Sequence, residues 1–302
     1  MSDQYLTSNN NSTNVLFKAV GWLLLGFWQI APAATGRMIM RLFFRPRSLR
    51  QRPKEKAVWD SGTPFTLQLH GRTLHGRYWG DGPGVLFVHG WNGRGSQCHQ
   101  MVDSIVAAGY RAITFDGPAH GDSDGSFTTY FEFTDVVRAF LRGEANMSVD
   151  KVIAHSFGSG AVINALHKEK RSLDVVLVAP ALMLEEYLHQ SFQQYGIPFR
   201  LFDNLIKWLE QDYGYLLRRD NPRRLLKKLR APLLLIHDQG DKIIPHTVSK
   251  QFVEQQPHIV LKTTQGLGHT KILQSSEAID LIMAYLTKAK PESVLEASSH
   301  VA

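Results

Sequence analysis

The chain has 302 residues, 43% of them hydrophobic, and a single cysteine, Cys98. That length holds one large domain with a small insert, and one cysteine excludes an intrachain disulfide framework and any cysteine-based metal site. The formal net charge of +7 is uneven: residues 1–56 carry nine basic and two acidic side chains, whereas residues 57–302 carry 25 of each sign, which argues against a nucleic-acid-binding body.

Residues 1–14 are polar and rich in Asn, Ser and Thr, a composition expected to be disordered. Residues 15–31 are largely apolar, interrupted by Lys18 and Gln29. The longest clean run, residues 19–28, has ten residues, short of the roughly 20 that span a bilayer. Arg37, Arg41 and Arg45 then recur every fourth residue, with Met38, Ile39, Leu42 and Phe43 between them, a basic amphipathic pattern that ends near Pro46. Trp22, Phe27 and Trp28 suit a membrane interface. Four fates of this segment stay open. The helical pair packs on the body or its cap, or residues 15–45 make peripheral contact with an anionic membrane. Alternatively it is a spanning signal anchor, or a signal peptide cleaved near Ala31-Pro32-Ala33, although no basic cluster precedes it. The expected division is a basic, apolar arm over 1–56 and a catalytic body over 57–302.

In the body, residues 65–69 and 74–79 alternate as an antiparallel edge hairpin joined at Gly71. Strand 85–88, helix 96–108, strand 112–115, helix 130–146, strand 151–154, helix 157–166 and strand 175–179 follow. Such alternation implies an α/β fold with a mostly parallel sheet and helices on both faces. Between residues 180 and 231 it stops. Helical patterns at 182–194, 199–210 and 222–229 suggest a helical cap over about 181–230. Its aromatics, Tyr187, Phe192, Tyr195, Phe199, Phe202, Trp208, Tyr213 and Tyr215, either form the cap's own core or line an acyl or alcohol pocket. Strand 233–237, strand 258–264, a last helix at 275–288 and a tail at 290–302 complete the chain.

Residues 150–160 read Asp-Lys-Val-Ile-Ala-His-Ser-Phe-Gly-Ser-Gly. A short apolar strand ends at Ser156 and small residues open a helix, the context of a nucleophile elbow, with Ala154 and Gly158 at the two positions that must be small. A serine nucleophile needs a histidine base and a carboxylate to fix its tautomer. Asp241 lies just past strand 233–237, and His269 ends the loop Gln265-Gly266-Leu267-Gly268. Asp238 is the alternative carboxylate; Asp241 is favoured because Asp238 directly follows its strand, a position that suits a turn residue. Three loops after parallel strands share one sheet edge, where ligands bind. The turn His89-Gly90-Trp91 follows strand 85–88. The amides of Trp91 and Phe157 are the expected oxyanion donors, and Gly90 allows close backbone approach. Gly90 and His155 are candidates for the substrate site, His155 also reading as a packing or hydrogen-bonding residue. His237 reads as a strand-end core histidine. Asp116, His120 and Asp122 lack a supporting second cluster, so no metal or other cofactor is expected.

His89-Gly90-Trp91, Asp116-Gly117-Pro118-Ala119-His120-Gly121-Asp122-Ser123, Ala154-His155-Ser156-Phe157-Gly158, His237-Asp238-Gln239-Gly240-Asp241 and Gly266-Leu267-Gly268-His269 resemble, in this order, the motifs of the α/β-hydrolase superfamily over about residues 60–288. The resemblance implies Ser156 as nucleophile, His269 as base, Asp241 as its orienter, and an oxyanion hole from Trp91 and Phe157. The departure is Ala154, where the family has a glycine. The expected activity is hydrolysis of a carboxylic ester of a small to medium apolar substrate, in a cytoplasmic or membrane-associated setting. A membrane-associated lipid hydrolase, a thioesterase, or a non-catalytic ligand-binding member of the fold are the alternatives.

Overall fold

The computed structural model describes residues 15–47, 50–194, 196–229, 233–256 and 259–288. The expected disorder of 1–14, the tail at 290–302 and the role of Tyr195 lie outside the described residues. Eight strands, β1 (Thr63–Leu69), β2 (Arg72–Trp79), β3 (Gly84–Val88), β4 (Arg111–Phe115), β5 (Lys151–His155), β6 (Asp174–Val178), β7 (Leu233–Asp238) and β8 (Ile259–Thr264), form one sheet in the order β1-β2-β4-β3-β5-β6-β7-β8. β1 and β2 pair antiparallel, as do β2 and β4, and every other neighbour pair is parallel. The hairpin pairs Leu69 with Arg72, and its two loop residues, His70 and Gly71, both have positive φ, as a twist-matched two-residue turn requires.

The described helices are α1 (Val15–Ile30), α2 (Pro32–Phe43), α3 (Pro53–Ser61), α4 (Val102–Ala107), α5 (Tyr130–Leu141), α6 (Phe157–Glu169), α7 (Leu184–Gln194), α8 (Phe199–Tyr213), α9 (Pro222–Leu226), α10 (His246–Val253), α11 (Gly268–Lys271) and α12 (Ser276–Leu286). β3, β5 and β7 are buried along their whole length, because helices cover both faces. On one face Val137 and Phe140 of α5 and Val162 and Leu166 of α6 pack on Leu86, Val152 and Leu235. On the other, Ile105 of α4 and Ile282 of α12 pack on Phe87, Ile153 and Ile236.

A third cluster joins the arm to the cap: Leu24, Ile39, Met40 and Phe44 pack with Phe192, Leu201 and Leu205. The helical pair therefore seats on the cap, with Trp28 edge-on to Trp208. No helix of the described residues is long and apolar enough to cross a membrane. The boundary expected after residue 56 falls inside α3, which buries Glu55 and Trp59.

Some elements depart from the sequence expectation. The helix expected over 96–108 is a 3₁₀ turn, Gly95–Cys98, and the short α4. The helix expected over 130–146 stops at Leu141, because Gly143 adopts positive φ. Its N–H bonds the Phe140 carbonyl and the Glu144 N–H bonds the Ala139 carbonyl, a Schellman closure.

Candidate active site

Ser156 stands between the end of β5 and the first residue of α6, with φ 52° and ψ −122°. Such a conformation costs about 1–3 kcal/mol for a non-glycine residue and persists only where its surroundings over-determine it. Here the Ser156 N–H donates to the Val178 carbonyl, and the Ser156 carbonyl accepts from Ala181 and Ser159. The strand and helix crowd as the small flanking residues require. Ala154 is fully buried, and a Cβ on Gly158 would sit 2.8 Å from the Val88 carbonyl oxygen.

Ser156, Asp241 and His269 follow β5, β7 and β8 and meet at one sheet edge. His269 Nε2 lies 2.9 Å from Ser156 Oγ, and His269 Nδ1 lies 2.7 Å from Asp241 Oδ2. The carboxylate places the ring proton on Nδ1, which leaves Nε2 free to accept from the serine hydroxyl. Asp241 is held from both sides: its Oδ1 accepts from the Ile243 and Ile244 amides at 2.8 and 2.9 Å. Burial alone would raise this carboxyl, but the His237 and His269 hydrogen bonds and the Ile244 amide outweigh it and hold the group below the ordinary carboxylate range.

His237 is fully buried, and its Nε2 sits 3.2 Å from Asp241 Oδ2 and 3.1 Å from the Ile244 carbonyl. Both neighbours are acceptors, so Nε2 carries the proton and Nδ1 accepts from the Ser249 hydroxyl on α10 at 2.8 Å. The carboxylate thus receives two imidazole donors. The sequence signals His237 only as a core histidine at a strand end, and the one hint of this contact is its spacing of four residues from Asp241. Asp238 does different work. Its oxygens accept from Gly240 N–H, the Thr264 hydroxyl and Leu267 N–H, tying the β7 turn to the loop that carries His269.

Trp91 is the second residue of a tight turn closed by Gly93 N–H to the Gly90 carbonyl, so its own amide faces away from that bond. Phe157 opens α6, where helix amides have no intrahelical acceptor. Phe157 directly follows Ser156, Trp91 lines the same cavity as Ser156, and a Cβ on Gly90, the residue before Trp91, would lie 2.8 Å from Ser156 Cβ. Buried His89 braces the turn. Gly117 N–H donates to its Nε2, and its Nδ1–H donates to the Gly90 carbonyl. Burial, reinforced by nearby His120, pushes His89 well below the usual histidine range, so it stays neutral. Asp116 accepts from Gly95 and Asp122 amides, which gives that loop a structural anchor.

Ser156 opens on a cavity of about 390 Å³ with walls from Phe44, Trp91, Leu184, Tyr187, Phe192 and Ile244. Of the cap aromatics, Tyr187 and Phe192 reach it, whereas Phe202 and Tyr215 are buried in the cap core and Phe199 is exposed. Neither Gly90 nor His155 lines the cavity. Gly90 lies behind Ser156, and buried His155 donates from Nε2 to the His269 carbonyl at 2.9 Å, which steadies the base from below. Burial, with His269 beside it, takes His155 down to about 3. The presence of Phe43 and Phe44 in the wall had no signal in the sequence, because it depends on how the arm folds back. The arm is pinned there by Thr128 N–H to the Phe44 carbonyl and by Arg47 N–H to Asn92 Oδ1, in the turn next to Trp91.

Residues 85–281 match the model of the Alpha/beta hydrolase family. The chain is 23% identical over 257 residues to non-heme chloroperoxidase CPO-A1 of Kitasatospora aureofaciens, covering 68% of this chain and 92% of that protein. Among solved structures it is similar to the esterase Pf2001 of Pyrococcus furiosus, with TM-score 0.59, 19% identity and coverage of 80% of this chain and 96% of that one. It is also similar to Est1E of Butyrivibrio proteoclasticus with ferulic acid bound, with TM-score 0.57, 18% identity and coverage of 74% and 96%. At these identities the structural likeness speaks for the fold.

Proposed function

The chain belongs to the alpha/beta hydrolase family, and we propose that it cleaves a carboxylic ester of a small to medium apolar substrate through an acyl-enzyme. The observation that carries this reading is the unbroken line from Ser156 Oγ through His269 to Asp241 at the floor of an apolar cavity. Ser156 Oγ attacks the ester carbonyl while His269 Nε2 takes its proton. Asp241 stabilises the resulting imidazolium, and the Trp91 and Phe157 amides hold the developing oxyanion; one such donor contributes about 10²–10³ in rate. When the C–O bond breaks, His269 returns the proton to the departing alcohol. A water then enters, gives its proton to His269 and attacks the acyl carbon, and collapse of that intermediate frees the acid and restores Ser156.

The cavity volume sits at the small end of the roughly 300–1,000 Å³ usual for ligand sites, which supports a compact acyl or alcohol group. The test is hydrolysis of a series of p-nitrophenyl esters of increasing chain length, with Ser156→Ala as control. The expected result is a maximum at short to medium chains and a loss of about 10⁶ in turnover in the folded variant. Undiminished hydrolysis by Ser156→Ala would overturn the assignment.

A further inference from the structure

We propose that the outer face of α1 and α2 docks on an anionic phospholipid bilayer surface. α1 buries Leu24 and Leu25 against the cap and turns Trp22, Leu23, Phe27 and Ile30 outward, with Trp22 65% and Ile30 82% exposed. No charged side chain occurs from residue 19 to 30. An ordinary surface helix sets polar residues on the face opposite its core stripe, so this helix is apolar on the wrong side for water. α2 continues the pattern with exposed Met38 and Leu42, now flanked by exposed Arg37 and Arg41.

The charge identifies the occupant. The whole formal excess of +7 lies in residues 1–56, while the rest of the chain is neutral. Arg37, Arg41 and Arg45 are exposed and make no ion pair among the described residues. Apolar and aromatic side chains beside free arginines fit the boundary between acyl chains and anionic headgroups. The residues before α1 offer little to cover the face, since 1–14 include only Met1, Tyr5 and Leu6 as sizeable apolar side chains. α2 also ends at Phe43, and Phe43 and the next residue, Phe44, form part of the cavity wall. Docking through this pair therefore brings the cavity close to an apolar ester dissolved in the bilayer.

The proposal does not depend on the ester chemistry, and its test keeps the two apart. The full chain is sedimented with vesicles of phosphatidylcholine alone and of phosphatidylcholine mixed with phosphatidylglycerol. Three variants accompany it: Trp22→Glu/Phe27→Glu, Arg37→Gln/Arg41→Gln and Ser156→Ala. Expected is partition to the mixed vesicles, abolished in the first variant and weakened about 25-fold in the second, at about fivefold per arginine. Ser156→Ala binds as the wild type does, and the two arm variants keep wild-type turnover on a short soluble ester. Absence of wild-type partition, or equal partition of Trp22→Glu/Phe27→Glu, overturns the proposal. So does sedimentation equilibrium showing a wild-type dimer that this variant dissociates without any vesicle binding, since a second copy then covers the face.

Discussion

Asp241→Asn tests whether the carboxylate acts by fixing a tautomer. The amide has two ways to sit. With its NH₂ in place of Oδ1, it would oppose the Ile243 and Ile244 amide donors, which now bond that oxygen at 2.8 and 2.9 Å. With its NH₂ in place of Oδ2, the carbonyl keeps both backbone bonds and the NH₂ faces His269 Nδ1 and His237 Nε2. The second pose wins, because a buried donor left opposed costs about 1–3 kcal/mol and the first pose opposes two. His269 must then accept at Nδ1, so its proton moves to Nε2 and points at Ser156 Oγ. A base in that tautomer cannot take the serine proton. Turnover on a short p-nitrophenyl ester should fall about 10⁴-fold, as it does when the same exchange is made in a serine protease triad, or about 5.5 kcal/mol in the barrier. His237 adds a stability effect. Its Nε2 proton now meets the new NH₂, and moving that proton to Nδ1 would leave Nε2 facing the Ile244 carbonyl at 3.1 Å. Urea denaturation should show a loss of about 1–3 kcal/mol. Turnover within tenfold of wild type in a folded variant would refute the tautomer argument.

Three further outcomes follow from the same geometry. Gly158→Ala brings a Cβ to 2.8 Å from the Val88 carbonyl oxygen, backbone that cannot yield cheaply, so it should destabilise by about 1–3 kcal/mol and lower turnover; an unchanged melting temperature would count against the crowding. Tyr187 lines the cavity with a buried hydroxyl that has no hydrogen-bond partner among the described residues, so Tyr187→Phe should lower kcat/KM on the preferred ester about tenfold without loss of stability, and equal kcat/KM would show that the hydroxyl does not meet substrate. Burial lowers His155 to about 3 and His120 to about 4, and takes His89 down as well, whereas it raises Asp116 to about 6 and raises Glu132. Below about pH 6.5 the unfolded chain binds the three histidine protons that the folded chain refuses, and the protons held by folded Asp116 and Glu132 offset this only in part. Unfolding therefore takes up protons and stability falls as the pH drops below about 6.5, a trend that denaturant titrations at pH 7 and pH 5 would contradict if stability stayed level.

The parallel sheet was legible because its strands announce themselves. Runs such as residues 85–88 and 233–237 are apolar without alternation, and each is followed by turn formers. The loops bearing Ser156, Asp241 and His269 were legible for the same reason, since parallel strands deliver their C-terminal loops to one edge. α3 and α10 were not, although Pro53 opens one and Pro245 precedes the other. Both are short, and their packing is decided by distant partners: Trp59 buries beside Gly95, and Ser249 bonds His237. The two donors on Asp241 Oδ2 likewise depend on how the β7 turn curls back, which no periodicity encodes.

The arm alters what can be asked of this site. The family match begins at residue 85, yet part of the cavity wall comes from Phe43 and Phe44, and Arg47 bonds the turn that carries Trp91. Removing residues before 57 would therefore strip the cap of Leu24, Ile39, Met40 and Phe44 at once, and expose Leu201 and Leu205 beneath them. A truncated chain that lost both membrane binding and turnover would not separate the two, because the cavity would lose Phe43 and Phe44 from its wall and the cap its packing partners. Point substitutions on the outer face of α1 avoid this, since Trp22 and Phe27 reach solvent rather than the cap. The same geometry locates substrate choice. Ser156, Asp241 and His269 follow strands of the sheet, while a large part of the cavity wall, Phe43, Phe44, Leu184, Tyr187, Leu188 and Phe192, comes from the arm and from α7. Substrate preference should therefore track changes in Phe43, Phe44, Leu184 and Phe192 far more than changes in the sheet, because a shared fold fixes the chemistry's frame and leaves the pocket free to differ.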